Sequence, residues 1–83
     1  MDDFEKLVSD ERNRQEDKWG EQNHIYPIWR IILGEELGEA DKAFLEYRFG
    51  HGDTKPIGKE LIHSAAVIKA MYESFVRNGW IST

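Results

Sequence analysis

Apolar residues along this chain recur at helical intervals in three stretches, and nowhere do they alternate with the period of a strand. The first stretch runs from about Asp2 to Lys18. There Phe4, Leu7, Val8 and Glu11 recur at helical spacing, and Asp2 or Asp3 is placed to cap the start. Its second half, "SDERNRQEDK", has almost no apolar residue, so it reads either as a solvated helix end or as a polar wall facing a ligand. The second stretch runs from about Pro27 to Arg48 and the third from about Ile57 to Asn78. Proline suits a first helical turn, and Gly79 suits the position just past a last one. "FGHGDTKP" between them reads as a loop with His51 exposed in it. Between the first two stretches Gly20 and Asn23 mark a turn. That connector, "WGEQNHIYP", is dense in aromatic and hydrogen-bonding side chains: Trp19, Gln22, His24 and Tyr26. The predicted class is all-α, an antiparallel hairpin of the second and third helices preceded by an N-terminal helix.

The stretch "GEELGEADKA" breaks the expected polarity of the second helix. With Glu35 set at 0° and roughly 100° per residue, Ile28, Ile32, Ala43, Trp29, Ala40, Leu33 and Phe44 span roughly 20° to 180°. On the same wheel Glu36 falls at roughly 100° and Glu39 at roughly 40°, both toward the core side, and Glu35 borders it. Arg30, Asp41, Lys42 and Arg48 occupy the polar side. A buried carboxylate without a partner is costly, and clustered carboxylates also repel one another. A divalent cation removes both penalties. On the third helix Leu61, Ala65, Ile68, Tyr72 and Phe75 form the predicted core stripe. Glu60 and His63 lie on its flank, and Ser64, Ala70 and Ser74 leave room beside them. Antiparallel packing would turn Glu60 and His63 toward Glu36 and Glu39. Plainer readings stand beside this one: a solvated glutamate face, a structural His63, and Trp29, Phe44 and Tyr72 as ordinary core. Trp19 and His24 suit packing and ligand contact equally.

Composition narrows the possibilities. With 83 residues the chain forms one small domain, 1–83, and a domain of this size buries only roughly 60% of its unfolded surface, so self-association is a natural supplement. The absence of cysteine excludes disulfides, thiolate nucleophiles and Cys-type zinc sites, and fits a cytoplasmic location. A net charge of −5 argues against a nucleic-acid polymer as partner. A small phosphate-bearing molecule remains open if a cation bridges the two negative partners. No apolar run approaches the roughly 18 residues that span a membrane, and "MDDFEKLVSDE" lacks the basic-then-apolar layout of a secretory leader.

"ERNRQEDKWGEQNHIYPIWRIILGEELGEADKAFLE" followed by "KELIHSAAVIKAM" resembles the MazG-like nucleotide pyrophosphohydrolases of the all-α NTP pyrophosphatase superfamily, most of all the short versions common in phages and prophages. The family pattern is EExxE on one helix and ExxD on the next. Glu35, Glu36 and Glu39 match the first half, and the "RQ…KWGxQxH" stretch adds specificity. The resemblance implies that Glu36, Glu39 and Glu60 bind Mg²⁺ and that Glu35 orients or deprotonates the attacking water. The implied reaction splits a nucleoside triphosphate between its α and β phosphates. Trp19, Gln22, His24 and Trp29 would grip the base or sugar, and Lys18, Arg12, Arg14 or Lys42 would assist with phosphate. It further implies a homodimer or homotetramer, in which packing from another subunit completes a four-helix-type bundle.

His63 stands where the pattern has aspartate. Imidazole is a poor Mg²⁺ ligand and suits Mn²⁺, Fe²⁺ or Zn²⁺ better, so His63 is expected either to ligate such a metal or to contact phosphate. Two other functions compete. A Glu with Glu60-x-x-His63, doubled in a dimer, is also the ligand set of ferritin-like di-iron bundles. A helical dimer that binds a nucleotide or a protein without chemistry is the other.

Overall fold

A computed structural model describes residues 3–50 and 52–82, which form three helices and no strand: α1 (Phe4–Trp19), α2 (Tyr26–Phe49) and α3 (Lys55–Arg77). Asp2 as a cap and His51 as an exposed loop residue lie outside the described residues. Helix ends differ by one or two residues from those read in the sequence, because local chemistry sets them. Asp3 accepts a hydrogen bond from the Glu5 N–H at 3.0 Å and caps α1. Gly20, at φ 76°, ends α1 in a backbone conformation that glycine adopts without a Cβ penalty. Pro27 and Pro56 sit in the first turns of α2 and α3. α3 closes in a Schellman motif: Trp80 N–H donates to the Phe75 carbonyl at 2.8 Å and Gly79 N–H to that of Val76 at 3.0 Å. The motif's hydrophobic contact is the Trp80 ring set edge-on against Phe75, 4.4 Å between centroids.

α2 and α3 pack as the expected hairpin and α1 packs on α3, while α1 and α2 make no packing contact with each other. The core gathers Trp29, Leu33, Val67, Ala70 and Phe75, with Ile32, Met71 and Ile81 against it. Trp29, only 1% exposed, clusters with Val67, Ala70 and Phe75 of α3, which also buries the small side chains Ser64, Ala66 and Ser74. This corrects the stripe read from the sequence. Leu61, Ile68 and Tyr72 are about half exposed, as is Phe44 on α2 (50, 51, 49 and 50%). A helix that serves two neighbours at close range buries its small side chains between them, so the large ones are turned outward.

α1 docks through Val8 and through Arg12, itself only 8% exposed. The Arg12 Nε donates to Glu73 at 2.9 Å, and its Nη2 lies 3.5 Å from Glu16. The α1–α2 loop is pinned to the end of α3, where Arg77 and Asn78 both donate to the Asn23 Oδ1 at 2.7 and 2.8 Å. Arg77 also donates to the Gln22 carbonyl at 3.1 Å. Among the described residues no helix is long and apolar enough to cross a membrane.

Arg12→Met keeps the stem packing but strips Glu73 and Glu16 of their cation. It is expected to lower the unfolding free energy by about 2 kcal/mol in denaturant titrations. Glu73→Gln, which still accepts the Nε–H bond, should cost clearly less.

Candidate functional site: a carboxylate–imidazole cluster beside a cavity

Because α1 and α2 stand apart, α3 forms the floor of a cleft between them. Glu60 and His63, one turn apart on α3, meet Glu36 from α2, and one ligand-type atom from each lies within 4.8 Å of the others. His63 Nδ1 is 3.4 Å from Glu60 Oε2 and 3.8 Å from Glu36 Oε2. Glu11 enters from α1 on the opposite side, its Oε2 3.6 Å from His63 Nε2. The Glu11 side chain is 10% exposed and firmly held. Arg14 grips it with two hydrogen bonds of 2.8 and 2.7 Å, and Gln15 adds a third at 3.1 Å.

The two outer carboxylates are held in opposite senses. Burial pushes the Glu36 carboxyl above its ordinary value, helped by repulsion from Glu60, Glu39 and Glu11 and partly offset by His63. The Arg14 hydrogen bonds pull the Glu11 carboxyl below its ordinary value, helped by nearby His63, by the Arg14 charge and by the Gln15 hydrogen bond, and opposed by burial.

Alongside the cluster lies a cavity of about 300 Å³. Trp19, Gln22, Trp29, Ile32, Val67 and Ala70 form its walls, and Arg12, Gln15, Glu35 and Glu36 line its polar side. His24 sets its ring edge-on against Trp29 at 5.0 Å. The indole N–H of Trp29 and the Nε2 of His24 are buried without a hydrogen-bond partner, which is costly unless something fills the need. No family model, curated protein or solved structure matches the chain.

The structure brings Glu36, Glu60 and His63 together and sets Glu35 exposed at the cavity edge. Glu39 is exposed and outside the group of three, contrary to its expected inward direction. The buried residues Trp29, Leu33, Ala40 and Ala43 centre the true core face at roughly 120° on the wheel, which leaves Glu39 roughly 80° off it. Trp19 and Gln22 join Trp29 in the cavity wall, whereas His24 stands behind Trp29. The Lys18 ammonium lies over the Trp19 ring at 4.6 Å, and Lys42 is exposed two turns past Glu35, away from the cavity wall. Arg12 is tied to Glu73. Glu11 and Gln15 were not expected in the site. The signal for Glu11 was present: a carboxylate in phase with Phe4, Leu7 and Val8 is the same anomaly that marked Glu36.

Glu36 and Glu11 should respond oppositely to acid in the ion-free protein. Glu11, with its pKa depressed on folding, adds stability above the ordinary value of 4.5 that is lost as pH falls through its lower folded value. Glu36, with its pKa raised, favours the fold below 4.5, and that contribution is lost as pH rises through its folded value. Near neutrality, with chelator present, Glu36→Gln should raise the Tm and Glu11→Gln should lower it. Both differences should fade as the pH is taken below 4.5, which thermal melts across the acid range will read.

Proposed function

We propose that this chain is a metal-dependent nucleoside triphosphate pyrophosphohydrolase, converting a (d)NTP and water to a (d)NMP and pyrophosphate. The observation that supports it best is the juxtaposition of Glu36, Glu60 and His63 with a cavity whose walls are two indoles and an amide. The donor set fits a divalent cation. Two half-buried carboxylates suit Mg²⁺, and the added imidazole suits Mn²⁺. The raised Glu36 pKa is the mark of a negative charge short of a partner. When bound, the cation would neutralise phosphate oxygens and make water a better nucleophile.

The chain's own residues do the rest. Glu35, at the cavity edge, takes the proton from the attacking water. The water oxygen bonds to phosphorus as the bridging P–O bond of the α–β anhydride breaks, and pyrophosphate leaves with the electron pair. Trp19 offers its ring to a base and the Gln22 amide offers an edge contact, with the buried Trp29 closing the cavity behind them. A volume of about 300 Å³ lies at the small end of ligand sites and suits a base with its sugar. Lys18 and Lys42 stand outside the cleft and receive no role. The resemblance of the "KWGEQNH" and "GEELGE" stretches to MazG-like enzymes supports the same reading. A di-iron site is the second reading, favoured by Glu60 and His63 one turn apart facing Glu36. It leaves the indole-walled cavity without a purpose.

Pyrophosphate release from a panel of NTPs and dNTPs, with Mg²⁺ and with Mn²⁺, tests the enzyme. Glu36→Gln is expected to lower kcat/KM by about a hundredfold or more. Silence across the panel, with iron in the purified protein, would favour the second reading instead.

The enzyme is proposed to work as a homodimer. Its radius of gyration is 14.1 Å, against about 12 Å for a compact chain of this length. Leu61, Ile68 and Tyr72 on α3, and Leu37 and Phe44 on α2, are large apolar side chains left exposed on the hairpin. A second hairpin laid against it would complete a four-helix bundle. Ile68→Lys should yield a folded monomer by light scattering and circular dichroism. A wild-type chain that is itself monomeric would remove this part of the proposal.

A further inference from the structure

The two ring nitrogens of His63 face different neighbours. Nδ1 looks toward Glu60 and Glu36, at 3.4 and 3.8 Å. Nε2 looks toward Glu11 on α1, at 3.6 Å. A shift of a few tenths of an ångström would turn this last approach into a hydrogen bond. Glu11 is poorly placed to be a ligand itself, since its two oxygens already accept three N–H bonds from Arg14 and Gln15. It is well placed to accept a fourth proton donor, the Nε2–H. In a neutral imidazole a proton fixed on one nitrogen leaves the lone pair on the other. Independent of the cluster, the Trp29 indole N–H, in a side chain 1% exposed, has no partner and belongs to the cavity wall that Glu36 shares. It is the kind of vacant donor that a ligand satisfies.

Resting on the reading that this cluster holds a cation, we propose that Glu11 is a positioning residue. It fixes the proton of His63 on Nε2 and so presents Nδ1, with Glu36 and Glu60, as an oxygen–oxygen–nitrogen ligand set. Arg14 and Gln15 act one step further out, by holding Glu11 in place. Such a set favours borderline divalent metals such as Mn²⁺ and Zn²⁺ over Mg²⁺, which prefers oxygen alone. α1 thereby influences metal choice without touching the metal.

Long-range ¹H–¹⁵N NMR of the histidine side chains in the intact chain reads the proton directly. Without metal, His63 is expected to carry it on Nε2, and Zn²⁺ is expected to shift Nδ1 while Nε2 keeps its proton. A proton on Nδ1, or a zinc response at Nε2, overturns the proposal. Calorimetry supplies the second readout. Glu11→Gln should weaken Mn²⁺ binding 10- to 100-fold, the usual cost of losing a partner that orients a metal-binding histidine, with a much smaller effect on Mg²⁺. Equal losses for both metals in a folded variant would make Glu11 a ligand or a purely structural residue, and overturn it. If His63 ignores Zn²⁺ while Mg²⁺-dependent pyrophosphate release persists, this inference fails and the enzyme reading stands. If both are absent, both fail. The wild-type NMR result decides the matter even if Glu11→Gln does not fold.

Discussion

α3 packs against both other helices, and those two do not pack against each other. That constraint shapes the domain. To take two neighbours at close range, α3 buries the small side chains Ser64, Ala66, Val67, Ala70 and Ser74, and α2 lays Trp29 and Leu33 into the core they share. The gap kept open between α1 and α2 becomes both the cavity and the pocket of negative charge. A bundle in which α1 and α2 also touched would fill that gap with side chains and leave no place for either.

The charges follow from the same geometry. Glu11, Glu36 and Glu60 come from three different helices and meet around one imidazole. Only Glu11 has a dedicated cation, Arg14, and the other two share the attention of His63. The domain tolerates this imbalance because the cleft is only partly dry, with 30% of the Glu36 side chain and 19% of the Glu60 side chain still in solvent. Partial burial raises the value of an incoming cation while leaving it a path to enter.

Much of the architecture was legible because its punctuation is local. Pro27, Gly20 and Gly79 each act through their own backbone and place helix ends without reference to the rest of the chain, whereas Pro56, read as loop, lies in the first turn of α3. The phase of Glu36 against Trp29 and Leu33 was legible for the same reason, and so was the room left by Ser64, Ala70 and Ser74. The side of α3 that meets the core was not. Leu61, Ile68 and Tyr72 make a better hydrophobic stripe than the face that is buried, and periodicity cannot say whether a stripe meets its own chain or remains uncovered. Glu39 was misplaced by the same error on α2, where Ile28 and Phe44 drew the expected core face too wide. Glu11 lies in a polar run that reads equally as a solvated helix end or as a wall facing a ligand, and apart from its phase nothing local singles it out from its charged neighbours.

The salt bridge from Arg12 to Glu73 joins residues 61 positions apart, whereas α2 and α3 are neighbours across a short loop. Closing the long loop costs more chain entropy than closing the short one, and it is repaid by a smaller apolar contact. The hairpin can therefore persist while α1 lifts away, carrying Glu11, Arg14 and Gln15 with it. Glu36, Glu60 and His63 then stay together on the hairpin, and the Glu11 contact belongs to the part of the molecule that assembles last and opens first. Amide exchange would find it as a separate unit, with α1 protected less than α3.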